Sequence, residues 1–337
     1  MTLLNHLITC LSHSIPTHLT LHMHMQPCAC THTHTHTRMH VHSSDRAILL
    51  DWQDPALLSD YLMPNTIDWD TPLQHVQLPP TTAFHDIGSW RAVVMEGKNA
   101  TWYRTTDFMR LLTQPVEVIR APVYDFTYAL LSNPHLMAKA YALQLDVTRC
   151  HLCCTWASLF KFKEEFELQM DERLAEFGAT FERLVAMQIR SEAIPSKEEA
   201  NKLMKCAGKA ARNLSNFHFT VASNNKLVIH LLHAHSGYDG LFVQAEDSLD
   251  GLVHIHMGTR KLPSHEKEMA VKVQRVTFQH FYLLLKAAVL VRGVGHKASL
   301  GVVVDALRRH IDTGLQSYVI SGSRCMPIAA GYQGPLF

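Results

Sequence analysis

The sequence predicts an α+β protein in which one or more antiparallel sheets pack against helices. Short β-branched and aromatic runs bounded by turn residues predict strands on both sides of a long helical region. Inside that region apolar residues recur every three or four positions, the spacing of one helix face. After Asn213 the strand-like runs return, and they predict an antiparallel meander of about four or five strands.

The composition is that of an ordinary globular protein. The chain has 337 residues, of which 47% are hydrophobic and 18% charged, so it can bury a sizeable core. Its 31 Lys and Arg residues balance 30 Asp and Glu residues, and nucleic-acid binding would therefore need a local basic patch. No apolar run reaches about 18 residues, which predicts no membrane span.

Residues 1–44 are interpreted as a disordered leader that need not be genuine coding sequence. The stretch THTHTHTR, Thr31 to Arg38, is what a CA dinucleotide repeat encodes, and ten of the 24 His residues lie in this segment. We place a working start near Met39. As a targeting peptide the segment is ambiguous, because it lacks acids but contains a single Arg.

Residues 45–87 predict an extended Pro-rich arm wrapped on a core, with disorder as the alternative. The core is assigned to residues 88–320. It opens with a hairpin formed by SWRAVVMEG and ATWYRT, then a helix capped by Thr105 and Thr106, then a strand at VEVIRA.

A helical insertion is predicted at about residues 124–214. Its best helix is FKFKEEFELQMDERLAEFGATFERLVAMQIRSEA. A second helix is predicted in PSKEEANKLMKCAGKAARNL, where Ser196 and Glu199 have capping-box spacing. The apolar face of the first helix is expected to consist of Phe162, Phe166, Met170, Leu174, Phe177, Phe181, Leu184 and Met187.

The predicted meander comprises FHFTVA, KLVIHLLHA, GLFVQAE, GLVHIHMGT and MAVKVQRV. TFQHFYLLLKAAVLVRGVG then predicts an apolar helix that begins after Thr277 and ends at Gly293. One more helix is expected in SLGVVVDALRRHIDTGL, and residues 321–337 are interpreted as a flexible tail.

The eight cysteines do not predict an extracellular disulfide framework. Three lie in the leader, three form the cluster CHLCC, and Cys206 and Cys325 stand alone, a pattern that favours a reducing compartment. The cluster has C-x-x-C spacing but no second pair, so small buried hydrophobes are the preferred interpretation.

Two histidine pairs are weak candidates for a metal site. On strands, His233 and His235, and likewise His254 and His256, would project from one face, and two adjacent strands could bring four imidazoles together. The favoured alternative is a half-solvated sheet face on which His is tolerated. No cofactor is predicted.

A basic and aromatic surface is the candidate nucleic-acid site. Basic side chains neutralise phosphates and aromatic faces stack on unpaired bases. A solvated charged face is the alternative interpretation. The candidate residues are Lys261, Lys272, Arg275, Arg292, Trp102 and Tyr103.

Two segments carry a family resemblance. AVKVQRVTFQHFYLLLKAAVLVRGVG is similar to the last strand and helix of the Whirly-type fold of plant Whirly proteins and kinetoplastid mitochondrial RNA-binding proteins, and WYRTTDFMRLLTQPVEVIRA resembles its first strand, helix and next strand. The resemblance covers about a third of the chain. It implies sheets that hold single-stranded nucleic acid and helices that pack together.

These observations favour a non-enzymatic protein that binds single-stranded RNA, or DNA, in mitochondria, with the cytoplasm as the alternative location. No P-loop, dinucleotide fingerprint, zincin motif or nucleophile elbow occurs. The alternatives are an assembly subunit of a ribonucleoprotein complex, with protein partners or oligomer contacts, and thirdly a metal-dependent enzyme that uses the paired histidines.

Overall fold

The computed structural model describes residues 8–12, 46–50, 57–65, 83–86, 104–107, 110, 116–120, 133–137, 156, 159–189, 197–223, 226–235, 242–243, 264–293, 304–305, 307–308, 315–321 and 324–328. The chain divides into two compact units. The N-terminal unit comprises Thr2–Gln53 and Leu57–Phe162, and the C-terminal unit comprises Lys163–Phe337 with Met1 and Asp54–Ala56.

The N-terminal unit contains two small sheets. Its strands are β1 (Ile8–Ser12), β2 (Arg46–Leu50), β3 (Leu62–Pro64), β4 (Ala83–Asp86), β5 (Val116–Arg120) and β6 (Phe160–Phe162). The first sheet has the order β2-β1-β5-β4, with β1 antiparallel to both its neighbours and β4 parallel to β5. Strands β3 and β6 form an antiparallel pair.

Strand β5 confirms the strand expected at VEVIRA. Strand β1 lies inside the segment interpreted as a leader, where it pairs with β2 and β5. The boundaries of the leader, arm, core and tail stay predictions.

The C-terminal unit alternates strands and helices. Its helices are α1 (Glu164–Glu176), α2 (Lys197–Ala210), α3 (Lys226–His235) and α4 (Ser264–Lys286). Its strands are β7 (Leu184–Ile189), β8 (His218–Ser223), β9 (Phe242–Val243), β10 (Val289–Gly293), β11 (Gln316–Ser321) and β12 (Arg324–Pro327).

These six strands form one sheet in the order β12-β11-β10-β7-β8-β9. All neighbours are parallel except β11 and β12, which are antiparallel. The mixed helix and strand content agrees with the sequence prediction, but the predicted antiparallel meander is wrong. The physical reason is that helices separate successive strands, and such crossovers return the chain parallel to its previous strand.

Helices cover both faces of this sheet. On one face Val185, Met187 and Phe219 pack with residues of α2 and α3 in a single buried core. The alternate residues Leu184 and Ala186 point to the other face, where α4 contacts β7 and β8. Burial on both faces explains why β7 reads as an almost unbroken apolar run rather than as an alternating strand.

Helix α1 confirms the predicted long helix over Glu164–Glu176, but the preceding FKF forms strand β6 and the helix ends much earlier than the apolar spacing indicates. Gly178 has φ +64°, and the N–H groups of Gly178 and Ala179 donate to the carbonyl oxygens of Ala175 and Leu174 at 2.9 and 3.0 Å. This is the helix-ending geometry that favours glycine. The chain then turns into β7, where a continuing helix was expected.

Two segments predicted as strands are helical. KLVIHLLHA lies in α3, and MAVKVQRV lies in α4, which continues through the predicted helix to Lys286. Gly293 ends β10 rather than a helix. In contrast, α2 and β8 agree with the predictions for those segments. In the part of the chain that the structure describes, no helix is both long and apolar enough to cross a membrane.

Candidate functional site

The strand order of the C-terminal unit places a switch point between β7 and β10. From β7 the chain proceeds outward to β8 and β9, and it then returns through α4 to β10 on the opposite side of β7. In open parallel sheets of this kind a crevice forms where the order reverses, at the carboxyl ends of the strands, and ligands bind there. The carboxyl ends of β7 and β10 are therefore the candidate site.

Gln188 and Arg292 stand side by side at this edge. They are partners in the register of β7 and β10, each one residue before the end of its strand. Gln188 is only 7% exposed although it carries an amide. By strand alternation both side chains lie on the sheet face that α4 covers, opposite the core that contains Met187.

Gly293 follows Arg292 and is the last residue of β10. A Cβ atom added there would lie 4.0 Å from the carbonyl oxygen of Gln188, an ordinary contact distance. The glycine is therefore not demanded by a close approach of these two strands.

Arg292 is held by a buried carboxylate. Its Nε lies 3.8 Å from Oδ2 of Asp305, and the side chains are 17% and 1% exposed. An ion pair with this little solvent is screened weakly, so Asp305 attracts the guanidinium more strongly than a surface partner could. The arrangement presents an oriented cation at the carboxyl edge of the sheet, which suits an anionic group of a ligand.

The described basic residues predicted for nucleic-acid binding lie on two elements, α4 and β10. Lys272 and Arg275 are exposed on α4, whereas Gln274 between them is buried. Arg292 lies at the end of β10. Trp102, Tyr103 and Lys261 lie outside the described residues.

The first histidine pair does not lie on a strand. His233 and His235 lie on α3, where residues two apart do not face each other. His233 instead stacks on Phe242, with ring centroids 4.1 Å apart and planes inclined by 30°. His254, His256 and the CHLCC cluster fall outside the described residues. Among the residues that are described, no three His, Cys, Asp or Glu side chains are grouped to hold a metal.

Sequence reasoning missed Gln188 and Asp305. Each is a polar residue inside an apolar run, LVAMQI and GVVVDAL. A buried polar group costs free energy unless it has a partner or a function, so such an interruption is the signal that could have identified them. The strand order that pairs Gln188 with Arg292, and the contact that brings Asp305 to Arg292, have no local sequence signature.

No protein-family model matches the sequence, and no match was found among the curated proteins compared with it. Solved structures of fucosyltransferases are similar at low identity. NodZ α-1,6-fucosyltransferase soaked with GDP-fucose is 14% identical, with 52% of this chain and 51% of that chain covered and a TM-score of 0.35.

Two further structures are of the same kind. FUT1 of Arabidopsis thaliana, as a variant in complex with GDP, is 11% identical over 75% of this chain and 55% of that chain, with a TM-score of 0.42. NodZ from Bradyrhizobium is 10% identical over 80% of this chain and 81% of that chain, with a TM-score of 0.40. The chain spans about half the length of the first NodZ structure and of FUT1. Likenesses of this size do not by themselves assign an activity.

The Whirly resemblance and the single-stranded RNA function are corrected by these findings. The segment AVKVQRVTFQHFYLLLKAAVLVRGVG, which carried the C-terminal half of the resemblance, forms the end of α4 and the parallel strand β10, not the last strand and helix of an antiparallel sheet. The similar solved structures are fucosyltransferases with GDP or GDP-fucose. The expectations of a non-enzymatic protein and of a nucleic-acid or ribonucleoprotein partner are corrected as well, because the structures found to be similar are of fucosyltransferases.

Proposed function

We propose that the C-terminal unit binds the diphosphate of a nucleoside-diphosphate substrate as part of a group-transfer enzyme. The observation that carries the proposal is the switch point between β7 and β10, where Arg292, oriented by Asp305, lies at the carboxyl edge. This edge is where open parallel sheets bind nucleotides.

The chemistry of Arg292 fits a diphosphate. A guanidinium presents donors in a planar fork that matches two phosphate oxygens, and its charge persists at all physiological pH values. When a diphosphate leaves a transferred group, negative charge builds on its oxygens, and a positioned cation in a weakly hydrated site stabilises that charge. Asp305 acts through Arg292 and is a positioning residue.

A nucleoside diphosphate fits this edge better than a dinucleotide. Dinucleotide folds place a glycine-rich turn after the first strand so that the backbone can approach the pyrophosphate. Here the segment after β7 reads RSEAIPS and contains no glycine. Recognition by a side chain from β10 therefore replaces recognition by the backbone. GDP-fucose and GDP, the ligands named for the similar structures, are the first compounds to test.

The test is calorimetric titration of the full chain with GDP, UDP, ADP and NAD. We expect one or more of the diphosphates to bind more tightly than NAD. Arg292→Ala should weaken that binding by about 10- to 100-fold, the usual effect of removing a charged hydrogen-bond partner, and Asp305→Asn should weaken it less.

Arg212→Ala is the matched control. Arg212 is exposed in the turn Ala211–Asn213, which leads to the amino end of β8 and thus to the opposite edge of the sheet. The Arg212→Ala variant should bind the diphosphate as tightly as the unaltered protein. If no diphosphate binds, or if Arg292→Ala binds as tightly as Arg212→Ala, the proposal is wrong.

A further inference from the structure

A disulfide joins two distant parts of the C-terminal unit. Cys206 on α2 is bonded to Cys325 on β12, across 119 residues of sequence, with the Cα atoms 5.3 Å apart. That Cα separation lies within the usual range for cystines. From the sequence, Cys206 and Cys325 were interpreted as unpaired cysteines, and the disulfide corrects that interpretation.

The two cysteine residues differ in their exposure to solvent. Cys206 is 3% exposed and belongs to the core between α2 and the sheet. Cys325 is partly exposed and lies between the exposed residues Arg324 and Met326. An external reagent therefore reaches the bond from the side of β12.

Strand β12 needs an additional attachment. It is the last strand of the sheet, has four residues, and pairs only with β11. A short edge strand with one neighbour opens easily. The cystine fastens it to α2, which packs on β7, β10 and β11.

We infer that the Cys206–Cys325 cystine is a structural bond that fastens β12 to α2, and that this protein therefore matures in an oxidising compartment. Buried structural disulfides form and persist in such compartments, whereas the cytosol keeps thiols reduced. The inference is independent of the proposed nucleotide site, because neither cysteine lies at the crevice between β7 and β10.

Forming this disulfide requires an electron acceptor, and a thiol–disulfide oxidoreductase fits that role. Two thiols lose two protons and two electrons, and the disulfide of a thiol–disulfide oxidoreductase takes them up and becomes a dithiol. Because Cys325 is the accessible residue, we place the mixed disulfide with the oxidoreductase on Cys325. The Cys206 thiolate then displaces the oxidoreductase as β12 docks against β11.

The direct test is thiol mapping on the full chain secreted by yeast. The protein is denatured and alkylated without reductant, then reduced and labelled with a second alkylating reagent, and its peptides are analysed by mass spectrometry. We expect Cys206 and Cys325 to carry only the second label and to occur in one linked peptide pair before reduction. First-label modification of both residues in secreted protein would overturn the inference.

A second test separates a bond from two independent buried thiols. Cys206→Ala, Cys325→Ala and the double variant should each lower Tm by the same amount, roughly 5–15 °C, since each removes the same cross-link. The backbone amides of β12 should also exchange hydrogen faster in all three variants. Additive losses in the double variant, or unchanged exchange in β12, would contradict a structural bond.

Discussion

The side chain of Arg308 donates a hydrogen bond from Nη1 to the carbonyl oxygen of Leu284 at 2.9 Å. The same nitrogen also donates to the carbonyl oxygens of Leu285 and Ala287, and Nη2 donates to those of Ala288 and Gln316 at 3.3 Å. Arg308 is fully buried. The guanidinium thus caps the carboxyl end of α4, where the last carbonyls of a helix lack partners and carry partial negative charge.

Replacing Arg308 should destabilise the C-terminal unit strongly. Arg308→Met keeps most of the volume but leaves buried carbonyl oxygens without donors, and we expect a loss of about 3 kcal/mol. Arg308→Lys should lose less. Urea denaturation followed by circular dichroism measures this, because all five Trp residues precede Lys163 and fluorescence would report on the other unit.

The exposed Arg212 serves as the control for that measurement. Arg212→Met should change the free energy of unfolding by less than about 0.5 kcal/mol, as most surface substitutions do. Equal stabilities for Arg308→Met and Arg212→Met would show that the cap contributes nothing.

His280 on α4 should make stability depend on pH. Burial lowers the pKa of His280 to about 4, from 6.5 in an unfolded chain. The folded state therefore holds the neutral imidazole, and its contribution is complete above pH 6.5 and is lost as pH falls toward 4. The slope is at most about 1.4 kcal/mol per pH unit.

Substitution isolates this contribution. His280→Gln cannot gain a proton, so its free energy of unfolding should fall less than that of the unaltered protein between pH 6.5 and pH 4. His230→Gln, at an exposed position of α3, should keep the original pH dependence. Parallel curves for the unaltered protein and His280→Gln would refute the assignment.

Tyr282 and Glu167 couple α4 to α1. The Tyr282 hydroxyl donates to Oε1 of Glu167 at 3.2 Å, and Lys286 Nζ lies 3.6 Å from the same oxygen. Burial, together with the charges of Glu167 and Asp171 and the hydrogen bond to Glu167, raises the pKa of Tyr282 above its usual value. The hydroxyl therefore stays protonated and remains a donor under ordinary conditions.

A double-mutant cycle measures this contact. Tyr282→Phe and Glu167→Gln, alone and combined, should give a coupling free energy of about 0.5–1.5 kcal/mol. Tyr282→Phe keeps the ring contacts with Phe166 and Phe181, whose centroids lie 5.8 and 5.5 Å away. A coupling near zero would mean that the helices associate through ring packing alone.

His233 should act as a packing residue rather than a metal ligand. His233→Ala removes the stack on Phe242 and should cost about 0.5–1.5 kcal/mol of stability. Zinc titration of His233→Ala should give the same result as titration of the unaltered protein and of His230→Ala. A loss of zinc affinity in His233→Ala alone would restore the metal interpretation.

The local chemistry of the sequence determined several elements without help from the rest of the fold. Helix α2 and strand β8 follow from capping, apolar spacing and turn residues, all of which act over a few positions. The start of α1 has the same origin, with Glu164, Glu165 and Glu167 in a first turn that favours negative charge. Arg292 was also identified from the sequence, but as a candidate for a basic nucleic-acid surface rather than for the edge of a parallel sheet.

Only the tertiary structure decided the rest, because those features depend on contacts between distant residues. The short apolar run in α3 fits either a strand or a helix, and packing against α2 and β8 selects the helix. The parallel order that brings Gln188 beside Arg292 depends on where the crossovers lie across the sheet. Likewise, nothing local to Cys206 or Cys325 indicates a partner 119 residues away; α2 and β12 must first pack against the same sheet.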